Sequence, residues 1–166
     1  MENITIKEKN MEENLEDKKQ PMELIPGKSL SIFKLGSNIS NYLFLKHIFY
    51  PKNKNIIYDY DVYEFINIDI DLYVYAEKAV DTITTRSSCV YMEKELINMY
   101  YDDFLELSKF SSTNNIRVYS EGPHRNGRYY DVYYFDQGII LWVWRNKIRT
   151  IQIGYIYEED GEHIKL

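Results

Sequence analysis

Several groups of side chains in this chain have the types and spacing that chemistry requires. The tripeptide Gly27-Lys28-Ser29, inside "IPGKSLSI", is the ending of a phosphate-binding loop. Such a loop curls successive backbone N–H groups around phosphates and needs a first glycine five residues before its Gly-Lys pair. Met22 holds that position, and Pro26 removes a donor from the loop. Lys18, Lys19, Gln20 and Pro21 make no buried strand leading into it. A Pro-Gly pair marks a turn, so the segment reads as the opening turn of a folded domain and not as a nucleotide site.

The histidines are His47, His124 and His163, and none has a second histidine or cysteine three or four residues away, the spacing that metal ligands use. Residues 122–128, "GPHRNGR", gather His124, Arg125 and Arg128. They could hold an anion, although the same composition suits a solvated turn. Asp59/Asp61 and Asp69/Asp71 are spaced by two, which on a strand places each pair on one face for acid–base work or a cation. No histidine partner accompanies them. Asp102 and Asp103 suit the first turn of a helix, where the dipole favours negative charge. "YEEDGEH" near the C-terminus reads as an acidic tail or turn attractive to basic proteins. Cys89 is the only cysteine, and a buried, inert thiol fits it better than a nucleophile. No Ser-His-Asp, Cys-His or Gly-rich signature stands out. The chain reads as non-enzymatic, with no metal and no cofactor expected.

The totals bound what can position these groups. A chain of 166 residues with 45% apolar content can bury a sizeable core as one domain, without a disulfide or metal staple. No stretch approaches the ~20 apolar residues of a membrane span. The N-terminus lacks the basic-then-apolar order of a secretion signal. A single cysteine suits a reducing cytoplasm. The net charge of −6 disfavours general affinity for nucleic acid or anionic membrane, and suits a basic partner.

Residues 1–20 are rich in charge and poor in apolar side chains, so residues 1–23 read as a flexible or loosely helical leader. A single domain is expected over 24–166. Ser29 to Leu35 reads as a short strand broken by Gly36, and Ser37 or Asn38 as the cap of a helix through Tyr42, Leu45 and Ile48, stopped by Pro51. Residues 55–65 are rich in β-favouring types. Residues 67–75, "NIDIDLYVY", alternate with period two: Ile68, Ile70, Leu72 and Val74 against Asp69, Asp71, Tyr73 and Tyr75. A turn at Ala76-Glu77-Lys78 leads into the strand "AVDTITTR". The second half shows a similar plan. "DDFLELSKF" at 102–110 matches "SNYLFLKHI" at 40–48, and 141–153 matches 72–85. The expected fold is therefore α+β: an antiparallel sheet from a duplicated helix-plus-three-strands unit, halves about 29–92 and 93–157, with both helices on one face.

The match carries register from one strand to the other. Leu72 and Val74 should face the helices, because Asp69 and Asp71 on the opposite parity are costly to bury. Leu141 and Val143 should then point inward too, leaving Trp142 and Trp144 beside Tyr73 and Tyr75 on the helix-free face. Aromatics beside carboxylates suit a protein-binding surface, with Asp69 and Asp71 steering a basic partner. Cross-strand aromatic pairs also stabilise sheets by themselves, so the same residues suit a purely structural role, and the opposite register would bury both tryptophans.

"PGKS…IFKLGSNISNYL" (26–43) resembles the opening of small bacterial α+β proteins in which such a turn starts a helix. The duplicated plan is similar to the β-lactamase-inhibitor-protein-like architecture, and "VYSEGPHRNGRYYDVYYFDQGIILWVWRNKIRTIQI" (118–153) resembles immunity proteins of bacterial polymorphic-toxin and contact-dependent inhibition systems. The resemblance implies a non-catalytic, cytoplasmic immunity protein that occludes a cognate toxin through Tyr73, Tyr75, Trp142 and Trp144. A scaffold or homodimeric interaction module would use the same face. A small enzyme or ligand binder would instead show a deep cavity at the insert holding His124 and Arg125.

Overall fold

The computed structural model describes residues 6–11, 21–52, 60–122 and 125–155. Residues 6–11 are helical (α1), and Met11 packs against the core. In chain order the strands are β1 (Leu24–Ile25), β2 (Ser29–Leu30), β3 (Phe33–Lys34), β4 (Ile48–Tyr50), β5 (Asp61–Phe65), β6 (Ile70–Val74), β7 (Val80–Thr85), β8 (Val90–Tyr91) and β9 (Lys94–Glu95). After helix α2 (Tyr101–Ser108) come β10 (Ser112–Ser120), β11 (Arg128–Phe135), β12 (Ile139–Trp144) and β13 (Lys147–Gly154).

Eight of these strands form one antiparallel sheet in the order β10-β11-β12-β13-β7-β6-β5-β4. It consists of two four-stranded meanders that meet where β7 pairs with β13, through Ile83↔Ile153 and Thr85↔Ile151. Period-two alternation drives this arrangement, because each strand can give one apolar face to the core only if its neighbours keep the same parity. Along β12 burial alternates strictly, with Ile139, Leu141 and Val143 buried and Ile140, Trp142 and Trp144 half-buried. Leu72 pairs with Ile83, and Leu141 with Ile151 and Tyr133, so one continuous apolar face runs across the central strands.

A second layer covers that face. The three-stranded sheet β1-β2-β3 supplies Leu24, Leu30 and Phe33, the β8–β9 hairpin lies between Cys89 and Leu96, and α2 supplies Tyr101 and Phe104. Tyr101 stacks on Tyr133 at 3.9 Å between centroids, and Phe104 meets Phe135 edge-on at 5.6 Å. Phe33, Phe65 and Phe104 are fully buried, each stabilising the fold by roughly 1.5–3 kcal/mol. The Pro26-Gly27 segment is the turn between β1 and β2, closed by Lys28 N–H donating to Ile25 O at 3.0 Å. Gly27 sits there at φ 65°, a conformation costly for side-chain-bearing residues.

The expected duplicated α+β unit does not form; the fold is mostly β. Of its two helices, the second exists as α2, with Asp102 and Asp103 in its first turn. The first does not. Asn38 caps as expected, its side chain accepting from Ser40 N–H at 2.9 Å, but it caps a single 3-10 turn, Ile39–Asn41. A short helix must overcome a costly nucleus, and here Tyr42 and Leu45 are already buried by the turn. Ile48, Phe49 and Tyr50, two of them aromatic and one β-branched, instead pair with β5 as an edge strand. The expected strand from Ser29 to Leu35 is a bent hairpin, β2–β3, turning at Ser31 with φ 53°. Asp69 also departs from its expected strand: it lies in the turn before β6 at φ 54°. Part of the strand expected over 55–65 falls on 53–59, outside the described residues; β5 covers its end.

Candidate binding groove on the outer sheet face

The sheet face opposite the core carries the side chains of alternate parity. Reading across the pairing, Tyr50, Val62, Tyr73, Thr82, Gln152, Ile140 and Tyr134 come from seven adjacent strands, yet all line one concavity of about 720 Å³. Neighbouring strands lie about 4.8 Å apart, so a single concavity touches seven of them only if the sheet curls around it. Six of its fourteen lining residues are aromatic, and Lys52, Asp81 and Arg125 are among the others. Tyr60 packs edge-on against Tyr73 and Tyr75, at 5.4 and 5.2 Å between centroids. Trp142 faces it from the middle of the sheet.

Trp142 is fixed from several directions. Its indole N–H donates to Gln152 Oε1 at 2.8 Å, and Gln152 Nε2 donates to Thr84 Oγ1 at 3.3 Å. The Arg125 guanidinium lies over the indole at 3.7 Å and donates to Thr150 Oγ1 at 3.0 Å. Tyr130 meets Trp142 edge-on and donates its hydroxyl to the Arg125 carbonyl at 3.1 Å. Tyr130 and Val132 are buried but stand apart from the main core cluster, so a small second cluster exists beneath Arg125 on this side. The polar insert thus reaches back over the outer face through Arg125. Burial and the neighbouring Arg86 charge push the Arg125 guanidinium down to about 10. Its neighbour in the insert, His124, lies outside the described residues, as do Asp59, His163 and the acidic "YEEDGEH" segment.

A narrower cleft of about 340 Å³ lies towards the other end of β12, with Trp144, Arg86, Arg128, Arg149, Asn98 and Asp69 in its walls. Three guanidiniums surround the Trp144 indole: Arg128 at 4.1 Å, Arg145 at 4.5 Å and Arg149 at 5.3 Å. Arg149 also donates to Asn98 Oδ1. Arg86 bridges Asp69 at 3.2 Å and holds Asp71 through its other terminal nitrogen. Asp71 is only 7% exposed. Burial lifts its carboxyl above the usual carboxylate range, although the Arg86 hydrogen bond and charge pull the other way. Burial alone would lower Arg86, and Asp71 with Asp69 outweigh it and raise the guanidinium.

The six residues singled out from sequence therefore divide. Tyr73, Tyr75 and Trp142 line the larger concavity, while Trp144 and Asp69 line the cleft. Asp71 is buried beneath Arg86 and lines neither. Both carboxylates contact Arg86, and with Arg125, Arg128, Arg145 and Arg149 close by, the negative steering expected of Asp69 and Asp71 gives way to a local excess of guanidinium. Sequence reasoning missed Arg86, Arg145 and Arg149, together with Tyr60, Tyr134 and Ile140. Only the Arg125–Arg128 reading of the insert pointed towards a basic patch.

His47, Asp61 and Cys89 are engaged within the fold. His47, outside any helix, has Nδ1 2.8 Å from the Leu45 carbonyl and its ring near Tyr63 and Phe65. Asp61 accepts from the Lys52 backbone N–H at 2.8 Å. Cys89 is fully buried, which pushes its thiol up. Among the described residues, no group of three or more His, Cys, Asp or Glu is placed to hold a metal, and no helix is long and apolar enough to cross a membrane. No protein-family model, curated protein or solved structure matches the chain.

Proposed function

We propose that this chain is a non-catalytic, cytoplasmic binding protein that receives a protein partner in its curled outer sheet face, and specifically an immunity protein that neutralises a cognate toxin by occluding it. The observation that carries the reading is the aromatic concavity itself. Tyr60, Tyr73, Tyr75, Tyr134 and Trp142 present large, low-rotor side chains of the kind that dominate interface energetics. These rings converge from strands distant in sequence, on the side of the sheet away from the core. The net charge of −6 suits long-range encounter with a basic protein.

Coexpression tests this reading. The product of the reading frame adjacent to this chain's gene is produced alone and together with the chain, and growth and complex formation by size-exclusion chromatography are followed. The neighbouring product should be toxic alone, and this chain should relieve the toxicity within a stable complex. The double variant Trp142→Ala/Trp144→Ala should remain folded and lose both effects. A harmless neighbour that forms no complex, or a double variant that still protects, overturns the proposal. Light scattering that shows the outer face closed by a second copy of the chain overturns it as well.

A further inference from the structure

We infer that the cleft around Trp144 is a carboxylate receptor that takes an acidic side chain of the protein partner. This rests on the docking reading above and names the chemistry of one end of that face.

Three observations point to it. First, the charge is unbalanced. Arg86, Arg125, Arg128, Arg145 and Arg149 gather around the two tryptophans of β12, and two carboxylates, Asp69 and Asp71, contact that group through Arg86 alone. Among the described residues, Arg128, Arg145 and Arg149 have no carboxylate partner. A chain of net charge −6 that concentrates unpaired guanidiniums at one place holds like charges together at a cost, which an incoming anion relieves.

Second, the donors remain available. Arg128 and Arg145 lie over the Trp144 indole at 4.1 and 4.5 Å and, among the described residues, donate no side-chain hydrogen bond, whereas Arg149 gives one N–H to Asn98 and has others left for an oxyanion. Arg86 Nε and Arg149 Nε lie buried behind the cleft without a hydrogen-bond partner, as does Asp71 Oδ1 beside Arg86, so the donors an incoming carboxylate meets are the terminal N–H groups of Arg128, Arg145 and Arg149. The fork of N–H groups on arginine matches the two oxygens of a carboxylate.

Third, the size and surroundings fit one acidic side chain better than a polymer. The cleft is about 340 Å³ and adjoins the aromatic concavity through Trp142, Thr150 and Arg125. A nucleic acid would need a continuous basic track extending beyond the cleft, whereas at the aromatic end Lys52 and Arg125 are mixed with Asp81, and Glu64 lies beside Tyr50. An acidic residue flanked by apolar ones fills both ends at once.

The test uses the full chain, ¹⁵N-labelled, with a hexaglutamate peptide as the probe at low salt. NMR follows the indole N–H and arginine Nε–H signals. Hexaglutamate should shift the Trp144 and Arg149 signals saturably, weaken as salt rises, and give way to no response with hexalysine. Arg128→Gln/Arg149→Gln should weaken the titration at least about tenfold, the loss expected when charge-assisted hydrogen bonds are removed. Arg145→Gln removes an exposed side chain that the fold does not need, and should weaken it in the same direction. Tighter binding of an oligodeoxythymidylate would assign the cleft to nucleic acid and overturn the inference. Saturation by inorganic phosphate with equal affinity would make it a free-phosphate site, and no shift with any probe would remove it. The two proposals fail separately. If the arginine double variant still binds the coexpressed partner at full affinity while the tryptophan variant does not, docking stands and the carboxylate receptor falls.

Discussion

Replacing Leu141 with alanine should destabilise the protein more than replacing Trp142, although it deletes far fewer atoms. Leu141 is 0% exposed and sits on the core side of β12, flanked by Tyr133 and Ile151. Nothing nearby can collapse into the space, because both neighbouring strands are held by their own pairing. The loss of buried leucine contacts with a residual cavity costs about 2.7–5 kcal/mol. At 1.4 kcal/mol per decade, this lowers the folding constant by a factor of roughly 100 to 4,000. Trp142 faces the other way and is half-buried. Its removal forfeits a hydrogen bond to Gln152, worth about 1 kcal/mol, and the Arg125 cation–π contact, worth about 0.5–1 kcal/mol. With partial loss of packing on Tyr130, worth about another 1 kcal/mol, the total is about 2.5–3 kcal/mol, at the low end of the Leu141 range. Urea denaturation followed by far-UV circular dichroism measures both without relying on tryptophan emission, and an unchanged m-value keeps the comparison between similar states. A larger cost for Trp142→Ala than for Leu141→Ala would mean the indole is core, and the parity assigned to β12 would be wrong.

Arg86→Leu should cost about 3 kcal/mol at neutral pH, since it leaves the Asp71 carboxylate buried without its partner. The deficit should shrink as pH falls. Burial already raises the native Asp71 carboxyl above its unfolded value, and loss of Arg86 raises it further. The native variant then binds the proton more tightly than the unfolded chain, so its stability is lost as pH climbs through that raised value and recovers below it. Paired urea melts at pH 4 and pH 7 measure the change, and a constant deficit would contradict it. Cys89 should resist a water-soluble disulfide reagent in native buffer and react only when the chain unfolds, because burial keeps it a thiol; rapid native labelling would contradict its place in the core.

What the sequence made legible followed from local periodicity. "LWVW" and "IDLYV" can face only two ways, and period two makes legible that Leu72 shares a face with Val74 and Leu141 with Val143; which face is buried was not marked by the carboxylates, since Asp71 is itself buried against Arg86 and Asp69 lies off the strand. Asp102 and Asp103 marked α2 because the dipole's preference for negative charge acts within the first turn. The segment at 40–48 was ambiguous: Tyr42 and Leu45 fit a helical stripe, but Ile48-Phe49-Tyr50 fit an edge strand, and only the presence of β5 beside them decides. The arginine cluster was illegible for a different reason. Arg86 follows β7 and Arg149 lies on β13, and they converge only because those two strands pair across more than sixty residues of chain, as Thr84↔Gln152 records. Nothing local encodes that pairing.

Photocross-linking of the complex with the neighbouring gene's product addresses docking at the outer face most directly. A benzophenone side chain is placed at position 75 in place of Tyr75, which lines the concavity, or at position 92 in place of Met92, which is exposed in the turn between β8 and β9 in the opposite layer. Docking on the outer face predicts a covalent adduct from position 75 and none from position 92. An adduct formed only from position 92 would place the partner on the other side of the molecule and contradict the account.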